Sequence, residues 1–72
     1  MIGVLLLSKQ AVGKALRAEG CERVMEKDVP AGHGLWKTSW GFHFFVPELG
    51  PDKRCADYVL AEIIADVRKS RT

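Results

Sequence analysis

Five of the chain's six aromatic residues, Trp36, Trp40, Phe42, Phe44 and Phe45, fall within ten positions. Such a cluster needs a sheet with something packed over it. Residues 35–38 and 42–46 read as two strands joined by Ser39, Trp40 and Gly41, a short hairpin with glycine where a positive φ is needed. In the second strand Phe42, Phe44 and Val46 share one face and His43 and Phe45 the other. That strand, apolar on both sides, is expected to be central or covered. The rings exceed what one side of a small sheet buries. Trp36 and Trp40 are therefore expected to form an interaction surface, either stacking on unpaired bases or anchoring a protein partner. Burial in the core is the simpler alternative.

Helices supply the cover. Ser8 has the character of an N-cap, Leu7 can staple onto Val12, and Gly20 stands just past the end, which predicts a helix over residues 9–19. Its apolar stripe is Val12, Ala15 and Leu16, and the small Gly13 permits a close approach. Pro51 suits a first helical position, Asp52 an acidic first turn, and Arg68, Lys69 and Arg71 the C-terminal end of the helix dipole. Those signals predict a longer helix over residues 51–70 with Ala56, Val59, Leu60, Ile63 and Val67 facing the core. Val24 and Met25 mark a weaker strand over residues 21–27. A loop follows at residues 28–34, where Pro30 fixes the backbone and Gly32 and Gly34 free it around His33.

With 72 residues there is room for one core, and residues 1–72 are read as a single domain. The predicted class is α+β, with two helices on one face of a three-stranded antiparallel sheet in the order helix, strand, strand, strand, helix. Residues 2–7 leave room for an extra N-terminal strand, at a sheet edge or in a homodimer interface. The apolar start is too short to span a bilayer and has no charged leader or cleavage site. Cys21 and Cys55 lack paired metal-ligand spacing and read as reduced thiols of a cytoplasmic protein. A net charge of +2 permits nucleic acid without demanding it. No phosphate loop, nucleophile elbow or pair of catalytic carboxylates is present.

His33, between two glycines, is the candidate for acid–base chemistry, with a solvent-facing loop histidine as the plain alternative. His43 reads as structural. A zinc site would have to gather Cys21, His33, His43 and Cys55 from scattered positions, so no metal is expected. Lys9, Lys14, Arg17 and Arg23 collect in the first third of the chain, where a solvated helix face explains them as well as a phosphate-binding role does.

From Ser8 onward the sequence resembles the HicA family of small RNA-cleaving toxins. Leu16 and Gly20 match the end of the family's first helix, and Ala31-Gly32-His33 falls where the family carries Gly-Ser-His. The register then runs without a gap through Leu35 and Trp36, the hairpin Gly41, Val46-Pro47, and Leu60 and Ile63. Two substitutions, Ala31 and Gly32, and a somewhat longer loop before His33 depart from the family. The resemblance implies a fold like that of double-stranded-RNA-binding domains. It also implies metal-independent cleavage of messenger RNA with His33 as the catalytic histidine, and neutralisation by a HicB-like antitoxin covering His33 and the sheet. Lys37 and Arg23 would contact phosphate, with Lys9 and Arg17 as further nucleic-acid-binding cations. Two readings from other classes stand beside it. One is a winged-helix-like DNA-binding module using residues 9–19 as its recognition helix; the other is a non-catalytic protein-interaction module from a mobile element.

Overall fold

A computed structural model describes residues 3–71. The elements follow in the order β1 (Leu6–Leu7), α1 (Lys9–Ala18), β2 (Cys21–Val24), β3 (His33–Thr38), β4 (His43–Pro47), β5 (Cys55–Ala56) and α2 (Asp57–Ser70). The result is an α+β domain with two helices and a three-stranded antiparallel sheet. Its strand order is β2-β3-β4, and a separate two-stranded pairing joins β1 to β5.

Local chemistry sets α1 as predicted. The Ser8 hydroxyl accepts from the Ala11 amide at 3.2 Å, satisfying one of the donors that a helix start leaves bare. At the other end Glu19 caps the helix and Gly20 takes φ +83, the left-handed position where a Cβ is penalised. Gly13 is buried in the helix, and a Cβ there would lie 3.0 Å from the Arg17 guanidinium. The close approach it permits is thus made within α1, by Arg17 folding back along the helix.

Register decides which side chains share a face. Cys21 pairs with Thr38, Arg23 with Trp36, Trp36 with Phe44 and Gly34 with Val46. These form the helix side of the sheet. Val12 and Leu16 of α1 and Leu60 and Val67 of α2 join Cys21, Trp36, Val46 and Cys55 in one buried cluster, with Phe42, Phe44, Val59 and Ile63 packed against it. Both helices therefore cover the same face, and no helix among the described residues is long and apolar enough to cross a membrane.

Three expectations need correction, and a fourth is made specific. The strand predicted to be central, β4, is an edge strand, and β3 lies in the middle. The second face of β4 is uncovered, so Phe45 is 48% exposed. Next, α2 begins at Asp57 rather than Pro51. Pro51 and Asp52, which also suit a turn, sit in a tight reversal closed by reciprocal backbone bonds between Leu49 and Arg54, and Lys53 takes φ 54 there, outside the helical region. The extra N-terminal strand is present over Leu6–Leu7 and pairs with β5, Leu6 opposite Ala56 and Leu7 opposite Cys55; residue 2 of the predicted span lies outside the described residues. Finally, β3 starts at His33, placing that histidine at the head of a strand instead of in the loop.

The C-terminal end of α2 is held against the rest by side chains. Arg68 donates twice to the Glu19 carboxylate, at 2.7 and 3.1 Å, and this pairing holds the Glu19 carboxyl below its ordinary range. Trp40 Nε1 donates to the Ser70 hydroxyl at 2.9 Å, and the Arg71 guanidinium lies 5.3 Å from the Trp40 ring centre.

Candidate functional site

The sheet's other face carries a different set. Glu22, Lys37 and His43 form one row across the three strands, Val24, Leu35 and Phe45 the next, and His33 lies opposite Pro47 beyond them. His33, His43 and Phe45 are exposed there, whereas Leu35 is buried at the centre of the face. His33, Leu35, Val24, Met25 and Val29 line a shallow depression of about 100 Å³ at the head of β3.

Backbone geometry aims His33. Its amide donates to the Pro30 carbonyl at 3.2 Å, and the Glu48 amide donates to the Gly32 carbonyl at 2.7 Å, so both neighbours of the strand head are fixed. Gly32 takes φ +76 to make that corner. The ring Nδ1 lies 3.1 Å from the Ala31 carbonyl oxygen. A carbonyl only accepts, so in the neutral ring the proton is assigned to Nδ1, and Nε2 keeps its lone pair. An exposed Nε2 with a bare lone pair is what a general base presents.

Gly34, the second glycine of the pair, has a different task. On the helix side Arg23 Nη1 donates to Glu48 Oε2 at 2.8 Å, and a Cβ on Gly34 would sit 2.9 Å from that same oxygen. Glycine at this position lets the ion pair cross the strand. The Arg23 hydrogen bond, larger than the opposing effect of burial, holds the Glu48 carboxyl below its ordinary value of 4.5. Since the folded chain binds this proton less readily than the unfolded one, the pair's contribution is complete above pH 4.5 and is lost as pH falls through the lowered value. With the Glu48 side chain only 11% exposed, Glu48→Gln should cost about 1–3 kcal/mol at neutral pH. In urea unfolding followed from pH 7 down, the gap between variant and wild type should close in acid. A gap that persists unchanged would assign the cost to something other than the ion pair.

Of the cations singled out by sequence, Lys37 lies on the face that carries His33, and Arg23 reaches the rim of the depression beside it. Lys37 is four residues along β3, about 13 Å at strand rise, and its ammonium lies 3.3 Å from the Glu22 carboxylate, with both groups well exposed. An exposed pair of this kind contributes about 0–1 kcal/mol and exchanges readily. Arg23 is committed to Glu48. Arg17 lies on α1 with its guanidinium 5.7 Å from the Trp36 ring centre, and Lys9 stands in the first turn of α1, also on the helix side. Trp36, expected at the surface, is only 4% exposed: it occupies the central strand on the helix side and belongs to the core. Trp40 keeps 36% of its surface, but Ser70 and Arg71 engage it from α2.

The two thiols are buried, and burial pushes both above their ordinary value, which makes them poor nucleophiles. They lie in the core while the histidines lie on the opposite face, and among the described residues no group of His, Cys, Asp and Glu side chains could hold a metal ion. Phe45 is the member of the site that sequence reasoning passed over. The alternation in β4 had put it beside His43, and the packing of both helices on the opposite face leaves it open. No protein-family model, curated protein or solved structure matches the chain.

Proposed function

We propose that the chain is a small ribonuclease of the HicA type, working on the open face of its sheet with His33 as the general base. The observation that carries this reading is the exposed His33 ring, its Nδ1 tied to the Ala31 carbonyl and its Nε2 left as an acceptor. Nε2 takes the proton of a ribose 2′-hydroxyl, the 2′-oxygen attacks the adjacent phosphorus, and the bond to the 5′-oxygen breaks. The imidazolium then returns its proton to the leaving oxygen. Lys37 releases Glu22 and holds a phosphate farther along the strand, a positioning contact without sequence preference.

The order helix, three antiparallel strands, helix agrees with the double-stranded-RNA-binding-domain-like fold that the resemblance implies, and the β1–β5 pairing is an addition to it. In this reading a HicB-type antitoxin inhibits by covering His33 and the open face. A winged-helix role is less well supported. The recognition helix of a helix-turn-helix follows another helix, whereas α1 follows strand β1 and buries Val12 and Leu16 against the sheet.

The test is chemical. Purified protein incubated with labelled single-stranded RNA in the presence of a chelator should yield fragments ending in a 2′,3′-cyclic phosphate and fragments starting with a 5′-hydroxyl. Fragments with 5′-phosphates, or intact RNA at high protein concentration, would sink the assignment.

A further inference from the structure

We propose that Phe45 is the platform on which the base of the cleaved nucleotide stacks, so that the substrate must be RNA unpaired at the cleavage point. This inference rests on the ribonuclease reading above and specifies its substrate. Phe42 and Phe44 pack against the core and stack on each other at 5.8 Å between centroids. Phe45, on the same strand, faces the other way and keeps 48% of its surface in solvent. Its cross-strand partner Leu35 is buried, giving the ring a firm apolar neighbour.

Position makes this ring informative. The His33 imidazole lies 6.4 Å from Phe45 between centroids, with the planes at 79°. A base lying parallel to Phe45 is therefore steeply inclined to the imidazole and does not stack on it, which leaves His33 to act on the sugar and phosphate of that nucleotide. Stacking on an aromatic ring is indifferent to base identity but requires that a face of the base be free. In an A-form helix both faces are occupied by neighbours and the edge is paired.

The surroundings favour a nucleotide over a protein partner. Along this face Phe45 is flanked by His33, by the exchangeable Lys37–Glu22 pair and by His43. Apolar Val24, Met25 and Val29 line the depression on the far side of His33, so Phe45 is the exposed phenyl ring on a face that mixes apolar side chains with histidines and an exchangeable ion pair. A protein interface of ordinary size calls for roughly 800 Å² on each side around an apolar centre.

The experiment maps the cleavage point on a single-stranded oligonucleotide, then measures kcat and KM for wild type, Phe45→Ala and Phe45→Trp. Each is assayed on intact RNA, on RNA with an abasic ribonucleotide at the cleaved position, and on the same site enclosed in a hairpin stem. Phe45→Ala should lose about 5- to 150-fold in kcat/KM, chiefly through KM, and Phe45→Trp should restore it. The abasic substrate should cost wild type a similar factor and Phe45→Ala little more, since the two changes remove one contact. The stem should be cleaved poorly. Equal cleavage by wild type and Phe45→Ala, at equal thermal stability, would overturn the proposal while leaving the ribonuclease reading standing, and would turn attention to a protein partner for this ring. Losses that multiply independently would also overturn it. A wild-type protein that cleaves nothing would overturn both.

Discussion

His33→Ala should lower RNA cleavage by about 10²- to 10⁴-fold, the range a positioned general base supplies, with the urea unfolding midpoint unchanged. The second half of that expectation gives the first its meaning. His33 is exposed, its one polar contact is with the Ala31 carbonyl two residues away, and its tie to another strand is the ring contact with Phe45, so its removal breaks no hydrogen bond between distant elements. His43 supplies the comparison. It too is exposed on this face, and its Nδ1 lies 3.1 Å from the Gly41 carbonyl, yet it sits opposite Lys37, at the far end of the face from His33. His43→Ala should therefore leave the catalytic rate far above that of His33→Ala. Equal losses in the two variants would argue against a dedicated base at the head of β3.

Trp36→Ala should have the largest effect on folding, about 3–5 kcal/mol. The indole stands on the central strand between Arg23 and Phe44, only 4% exposed, with the Arg17 guanidinium over its ring. A domain of 72 residues has a total stability of roughly 4–11 kcal/mol at the usual stability per residue. Urea unfolding followed by circular dichroism should thus find the variant weakly folded or unfolded, with Trp36→Phe in between. A residue serving as a surface contact would leave the midpoint where it was.

Where the determinants are local, the sequence was a sufficient guide. Ser8 at the start of α1, Gly20 at its end and Gly41 with φ +90 in the hairpin all act through their own backbone or that of the next turn. The face alternation along β4 was equally readable. Strand order was not, because the neighbour of a strand is chosen by packing across the whole chain, and that choice turned β4 from a centre into an edge. Trp36 was misplaced for a related reason: Leu35 and Trp36 are both buried, so alternation alone does not say which of them faces the helices. Pro51 and Asp52 carry the same signals at a helix start and in a turn, and the two-residue β5 between them and α2 is too short to leave a pattern. Gly34 was recognised as permissive. Its cause, an ion pair between residues 25 positions apart, is invisible before the chain folds. At the candidate site, His33 was singled out by its setting between glycines, while Phe45 required knowledge of which side of the sheet stays bare.

The contacts that close the domain also differ in when they become available during synthesis. Neighbouring strands of β2, β3 and β4 are linked by short connections and can pair soon after Pro47 leaves the ribosome. The Arg54 guanidinium reaches the Leu6 carbonyl across 48 residues, and Arg68 reaches Glu19 across 49. Without α2 the sheet would present Trp36, Phe42 and Phe44 with part of their cover missing, an adhesive back for neighbouring chains and chaperones. The packing that makes the domain durable therefore depends on its last element, α2.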